Sequence, residues 1–436
     1  MIMEADSLHP SVNDPVLSRM NFLNEITYTY PQAISFAPGR PYDGFFELDD
    51  VFAQLRRYSQ YLEDRGASPA EVRRSFYQYG PTAGQIREII ADSLRQDEGF
   101  TASPASIVVT VGGQEAMFLA LRTLFAAPSD VLILVTPCYV GIIGAARLLD
   151  VPVVSVPERE GRLDIAGLAA AVRAERSAGR RPRAVYLVPD YANPTGTTLD
   201  LASRTALLDL AEREGLLVLE DSPYRLTGTA PRLPSLKALD RNRSVIQLGT
   251  YSKTIFPGAR VGYVVADQEV VDAAGASRLL ADDFAKVKSM ITVNTSSLSQ
   301  AVAAGALLNA EGRLSEHGAK AAEHYSRSMA ETLDCLEQQL PPERRRELGV
   351  SWNRPDGGFF LTVHTRSRTG TAALERSARE FGVLWTPMEY FYPHGGGETD
   401  IRLSISYLTI PEIHRGVDRL VRFIEAQSDG TESDAP

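Results

Sequence analysis

Between residues 105 and 266 short apolar runs, several of them continuously apolar, alternate with amphipathic stretches. The runs are Ile107–Val111, Val131–Val135, Val151–Val156, Ala184–Val188, Leu216–Leu219, Val245–Leu248 and Val261–Val265. Runs that are apolar at successive positions suit strands covered on both faces. Between them Gln114–Phe125, Ile165–Glu175 and Ala202–Glu214 carry helical spacing, with Leu207, Leu208, Leu210 and Ala211 marking the buried face of the last. This alternation predicts an α/β fold with a mostly parallel central sheet. After residue 297 the pattern changes. Spaced Ala, Leu and Met predict a long helical region over Ser297–Gln339. Shorter strand candidates follow (Gly358–Val363, Val383–Trp385, Ile401–Ile405), then a last helix over Pro411–Ala426. The expected organisation is an N-terminal arm (1–30), a large domain (31–300), a connecting helix (301–340), a smaller α+β C-terminal domain (341–428) and a polar, acidic tail (429–436) expected to be disordered.

Composition narrows the classes. Forty-five Lys and Arg against 55 Asp and Glu leave a net charge of −10, which gives no basis for nucleic-acid binding. The basic run Arg180-Arg181-Pro182-Arg183 reads as a solvated loop. No apolar stretch approaches the roughly 20 residues of a membrane helix, so no membrane partner is expected. Met1–Pro10 carries acidic residues without an apolar core, unlike a signal peptide. Cys138 and Cys335, far apart, offer no disulfide framework and suit a reducing cytoplasm.

Open α/β sheets bind ligands beyond the carboxyl ends of their strands, so the candidate chemistry lies there. The run Val245–Leu248 leads into Gly249-Thr250-Tyr251-Ser252-Lys253-Thr254 and then Pro257-Gly258-Ala259-Arg260. A lysine flanked by hydroxyls, with an arginine seven residues on, suits a phosphorylated aldehyde: the amine forms an imine, Thr250 and Ser252 bond the phosphate, and Arg260 pairs with it. Alone, the same segment would serve as a surface turn. Leu216–Leu219 ends in Glu220-Asp221-Ser222-Pro223-Tyr224; Asp221 is placed either to pair with a protonated ring nitrogen or to cap a helix. Ala184–Val188 ends in Asn193-Pro194-Thr195-Gly196, ordinary turn chemistry that can also aim an amide. Gly112-Gly113-Gln114 follows a strand and opens a helix, where backbone N–H groups can approach a phosphate. Tyr139 follows another strand, as a core ring or one that stacks on a cofactor.

The five strand ends together resemble fold type I pyridoxal-phosphate enzymes, the class I/II aminotransferases, over about residues 30–428. By that resemblance the cofactor is pyridoxal 5′-phosphate and Lys253 is its Schiff-base lysine. Gly113, Gln114, Thr250, Ser252 and Arg260 hold the phosphate, Tyr139 stacks, Asn193 and Tyr224 bind the ring oxygen, and Asp221 pairs with the pyridine nitrogen. Asp400-Ile401-Arg402-Leu403-Ser404 matches the family's carboxylate-binding arginine, making Arg402 the grip on the substrate α-carboxylate. Tyr77-Gln78-Tyr79-Gly80 matches the segment whose tyrosine, here Tyr79, reaches the neighbouring subunit's phosphate. That implies a homodimer with shared sites and small amino-acid and 2-oxo-acid substrates.

Residues 31–60 contribute to the segment that covers the substrate, including Ser35-Phe36-Ala37-Pro38-Gly39-Arg40-Pro41-Tyr42. Gly39 and Tyr42 of this segment, with Tyr390 of the Trp385–Gly397 stretch, are candidate substrate contacts, since an aromatic pocket with polar tips suits a phenolic side chain. Most such rings in a chain are nevertheless core. Met20–Ile26, Ser35–Phe46, Phe284–Met290 and Trp385–Gly397 resemble the arylglycine aminotransferases, the hydroxyphenylglycine and dihydroxyphenylglycine transaminases of peptide-antibiotic biosynthesis. The implied reaction converts a 4-hydroxyphenyl-, 3,5-dihydroxyphenyl- or phenylglyoxylate to the L-arylglycine, with an aromatic amino acid such as L-tyrosine as donor. The alternatives are a broad-range aromatic or aminoadipate-type aminotransferase of primary metabolism, a β-lyase, or a pyridoxal-phosphate-sensing regulator. Such regulators carry a DNA-binding module ahead of this body, and barely thirty residues precede it here.

Overall fold

The computed structural model describes residues 3–159 and 161–431. All seven apolar runs form strands of one sheet: β1 Ile107–Thr110, β2 Asp130–Thr136, β3 Val153–Pro157, β4 Arg181–Leu187, β5 Leu217–Asp221, β6 Val245–Thr250 and β7 Gly262–Val265. Their order is β1-β7-β6-β5-β4-β2-β3. Neighbours from β6 to β3 pair in parallel, while β7 runs antiparallel to both β1 and β6. The carboxyl ends of β1, β2, β4, β5 and β6 therefore share one edge. Every residue of β1 and β2 is buried, as their uninterrupted apolar runs require. The one charge in β2, Asp130, is met by Arg181 at 2.6 and 3.0 Å and by the N–H groups of Ala126 and Ala127, which hold its carboxyl down to about 2. Arg181 opens β4 and Arg180 pairs with Glu175, so part of the expected basic loop is an ion-paired strand start.

The helices include α1 Pro15–Thr29, α2 Leu48–Asp64, α3 Gly112–Leu124, α4 Val140–Leu148, α5 Ile165–Ser177, α6 Leu201–Glu214, α7 Leu280–Ser289, α8 Ser297–Asn309, α9 Ala319–Gln339 and α10 Ile410–Thr431; further helices at Pro69–Tyr77 and Arg87–Asp97 and shorter segments lie between them. Asp200 caps α6 by accepting the Ser203 N–H at 2.7 Å, and Gly215 ends it in the left-handed region. Leu207, Leu210 and Ala211 are buried on α6 as expected, while Leu208 is half-buried.

Two expectations change. The long helix over 297–339 breaks after Asn309, where Glu311 and Gly312 take positive φ of 50° and 77°, and a short turn precedes α9. The last helix runs five residues beyond Ala426; of the expected tail, residues 432–436 lie outside the described residues. The arm also holds a 15-residue helix, α1.

Strands β8 Ser351–Trp352, β9 Phe360–His364, β10 Thr386–Pro387 and β11 Asp400–Ser404 form an antiparallel sheet of order β8-β9-β11-β10. α9 and α10 pack over it around Leu336, Leu361, Trp385, Leu403 and Phe423. Ile34–Ser35 pairs with Val383–Leu384 and Phe36 is fully buried in the same core, so the chain returns from α1 through this layer before entering the larger one. That route carries residues 37–40 across the mouth formed by the strand ends.

Candidate active site

A cavity of about 360 Å³ lies at the carboxyl edge of the large sheet, closed on one side by β11 and on another by residues 37–40. The ends of β1, β2, β4, β5 and β6 each contribute to it. After β1, Gly112 takes φ 73°, and a Cβ there would stand 2.7 Å from the Arg260 guanidinium. Only glycine allows helix α3 to open against that arginine. Gly113 and Gln114 then line the cavity. After β2, Tyr139 enters it; Gly141 lies so close that a Cβ would meet its ring at 2.3 Å, and burial raises the phenol to about 12.

The β4 and β5 ends supply the polar centre. Asn193 accepts from Arg402 Nη1 at 3.1 Å. Asp221 is buried and accepts the Tyr186 hydroxyl at 2.6 Å. Burial lifts its carboxyl to about 6 against the opposing effects of that hydrogen bond and of Lys253. Tyr224 lies with its ring centroid 5.9 Å from Lys253 Nζ. After β6, Thr250 donates to Ser252 Oγ at 3.0 Å, and Arg260 Nη1 donates to the same oxygen at 3.3 Å. Lys253 Nζ donates to the Gly39 carbonyl at 2.7 Å. Burial lowers this amine from 10.5 to about 8, with Arg260 and Arg402 acting the same way and Asp221 opposing.

Arg402 projects from β11 into the cavity. It donates to Thr386 Oγ1 at 2.8 Å and to the Ala37 carbonyl, and its guanidinium lies over Phe360 and Phe391 at 4.8 and 5.2 Å. Among the described residues neither Arg260 nor Arg402 is paired with a carboxylate. The donor set therefore has a cationic, hydroxyl-rich end, a deep carboxylate, an amine with a lowered proton affinity between them, and a separate buried guanidinium. It fits a phosphorylated pyridine aldehyde at Lys253 and a second, carboxylate-bearing molecule at Arg402.

Lys253, Gly113, Gln114, Tyr139, Asn193, Asp221, Tyr224, Thr250, Ser252, Arg260, Arg402 and Gly39 all line this one cavity. Three other candidates do not. Tyr42 stacks on His324 at 4.8 Å, outside the lining. Tyr390 is buried against Phe22, its hydroxyl bonded to Thr371 at 2.7 Å. Both are packing residues, because a ring beside a covering segment is as readily drawn into the neighbouring core. Tyr79 is 83% exposed and does not line the cavity of its own chain. Conversely, Thr27 and Tyr28 at the end of α1, with Met117, Val140 and Phe391, line the cavity without having been singled out. For Thr27 and Tyr28 no local signal marks the role, since α1 reaches the site only through the return path of residues 30–37.

A family model described as aminotransferase class I and II matches residues 47–420. The chain is 46% identical to an (S)-3,5-dihydroxyphenylglycine transaminase of Amycolatopsis orientalis over 428 residues, 98% of this chain and 95% of the relative. It is 32% identical to a 2-aminoadipate transaminase of Thermus thermophilus over 91% of each. The solved structure of an α-aminoadipate aminotransferase from Thermus thermophilus, complexed with N-(5′-phosphopyridoxyl)-L-leucine, aligns with a TM-score of 0.79 at 27% identity, covering 98% of this chain and 99% of that one.

Proposed function

Because the chain belongs to the class I and II aminotransferases, which use pyridoxal phosphate, we propose that it converts an arylglyoxylate to the L-arylglycine with an aromatic amino acid such as L-tyrosine as donor. The observation that carries the substrate class is the 46% identity to a dihydroxyphenylglycine transaminase over nearly the whole of both chains. The L-arylglycine product would feed peptide-antibiotic assembly.

When bound, the cofactor supplies a conjugated cation that accepts the electron pair left as the Cα–H bond breaks. The chain supplies the rest. Gly113, Gln114, Thr250, Ser252 and Arg260 would hold the phosphate; Tyr139 would cover one ring face; Asn193 and Tyr224 would bond the ring oxygen. Asp221 would keep the ring nitrogen protonated. Arg402 grips the α-carboxylate as a fork and thereby orients the Cα–H bond. The Lys253 amine, its proton affinity lowered by burial, would take the α-proton and return it to one face. Arylglycines need that control. Their α-carbon sits directly on the ring, which makes the α-proton unusually acidic and the stereocentre easy to lose.

The enzyme would act as a cytoplasmic homodimer, consistent with two unpaired, buried cysteines and with the exposed Tyr79. The deciding measurement is steady-state turnover with 4-hydroxyphenylglyoxylate or 3,5-dihydroxyphenylglyoxylate plus L-tyrosine, compared with 2-oxoglutarate plus L-tyrosine. We expect the arylglyoxylates to be preferred in kcat/KM by at least tenfold. A large preference for 2-oxoglutarate would instead assign the aminoadipate-type activity, and pyruvate release from a β-substituted alanine would assign a lyase.

A further inference from the structure

Helix α3 carries a carboxylate in its first turn, where an anion-binding helix end is poorly served by one. Glu115 is buried and accepts the backbone N–H of Val111 at 2.6 Å. A negative side chain there would ordinarily favour the helix, because it complements the positive end of the dipole. Next to Gly113 and Gln114 the same charge opposes a bound phosphate. Lys288, in the last turn of α7 and fully buried, meets it: Nζ donates to Glu115 Oε2 at 2.7 Å and to Thr292 Oγ1 at 2.9 Å. The Thr292 hydroxyl in turn donates to Glu115 Oε1 at 2.6 Å. Both carboxylate oxygens are thus held, and among the described residues Lys288 is the one cation at ion-pair distance from Glu115.

We propose that Lys288 is a positioning residue of the cofactor site: it neutralises Glu115 and, with Thr292, holds that carboxylate on the Val111 N–H, so that the Gly112–Gln114 turn presents its shape and positive potential to a phosphate dianion. The inference rests on placing the phosphate at Gly113, Gln114, Thr250, Ser252 and Arg260. A buried lysine joining α3 to α7 would stabilise the fold in any enzyme of this shape. The electrostatic role goes further, because it concerns the phosphate alone.

The test is equilibrium binding of pyridoxal phosphate and of unphosphorylated pyridoxal to the apoenzyme, followed by visible absorbance. In Lys288→Met, and in Lys288→Gln, which keeps a donor while removing the charge, pyridoxal phosphate should bind roughly tenfold more weakly. That is the scale of repulsion between like charges on the order of 10 Å apart near a protein surface. Pyridoxal affinity should stay within about twofold. The double variant E115Q/K288M removes both charges and should restore pyridoxal phosphate affinity to within about threefold of wild type. The inference is overturned if the single variants bind pyridoxal phosphate normally, if both ligands weaken in parallel, or if the double variant is as weak as the singles. Arg260→Met separates the underlying placement: unchanged pyridoxal phosphate affinity there would remove the phosphate site itself, and this inference with it.

Discussion

Lys253 shows what a single residue owes to its surroundings. A lysine with an ordinary proton affinity is neutral in roughly one molecule in three thousand at pH 7; at about 8 the fraction is roughly one in ten. Burial and the two nearby guanidiniums cause that change, so the rate at which the apoenzyme captures pyridoxal phosphate should rise about tenfold per pH unit up to about pH 8, then level. Stopped-flow absorbance checks it, and a flat profile from pH 6 to 9 would mean that this amine does not limit capture. Arg402→Met removes one positive neighbour and should move the bend to higher pH. Lys253→Ala should abolish both turnover and the visible absorbance of the covalently held cofactor. Asp221, Lys253 and Arg260 were legible in the sequence because they lie at or beyond the ends of β5 and β6, whereas Arg402, inside β11, was legible only through the family resemblance. Tyr186, which donates to Asp221 at 2.6 Å, and Thr386, which steadies Arg402, were not legible. Their partners stand 35 and 16 residues away, and only the sheet brings them together.

At the scale of elements, the loops after β4 and β5 are tied to each other below the cavity. Asp190, just beyond β4, takes Arg204 of α6 at 2.5 Å and Arg225, next to Tyr224, at 2.8 Å; Arg225 also pairs with Glu98 at 2.7 Å. All four side chains are nearly inaccessible. Arg225→Met would leave two buried carboxylates without their shared partner and should cost about 3–5 kcal/mol of stability, measurable by urea unfolding of the holoenzyme. A loss under about 1 kcal/mol would show that these loops are held by packing alone. Helix α1 belongs to the same scale. With Thr27 and Tyr28 at the cavity, Tyr28→Ala should raise KM for an arylglyoxylate several-fold while leaving kcat within about threefold; an unchanged KM would remove α1 from substrate recognition. Strands buried throughout, such as β1 and β2, were legible because burial on both faces writes an apolar run; edge strand β3, half-buried at Val153–Ser155, was legible from its valines alone. The strand order was not, since β7, antiparallel to both of its neighbours, carries the same kind of apolar run as the parallel strands. The break before α9 had a visible sign in Gly312 and Gly318, overridden by the helical spacing on either side.

For the whole molecule, the surface around Tyr79 calls for a partner. Tyr77 and Tyr79 are 78% and 83% exposed, and Met290 is 85% exposed, with Ile291, Val293 and Leu298 also solvent-facing. The two segments are neighbours: the Ser297 hydroxyl donates to the Gln78 carbonyl at 3.1 Å. Monomers rarely leave such side chains clustered. Val293 also holds a φ of 63°, a left-handed conformation that a β-branched residue adopts only when its surroundings enforce it. A second copy of the chain, related by a twofold axis, would bury this patch and carry each Tyr79 towards the other copy's phosphate site. The 47.7 kDa chain should therefore sediment as a species of about twice that mass. Met290→Glu, placing a charge in the patch, should shift it to monomer and weaken pyridoxal phosphate binding together. Tyr79→Phe should leave the mass unchanged and weaken only the cofactor, by several-fold. A wild-type monomer, or a Tyr79→Phe dimer with undiminished affinity, would place the phosphate site wholly within one chain.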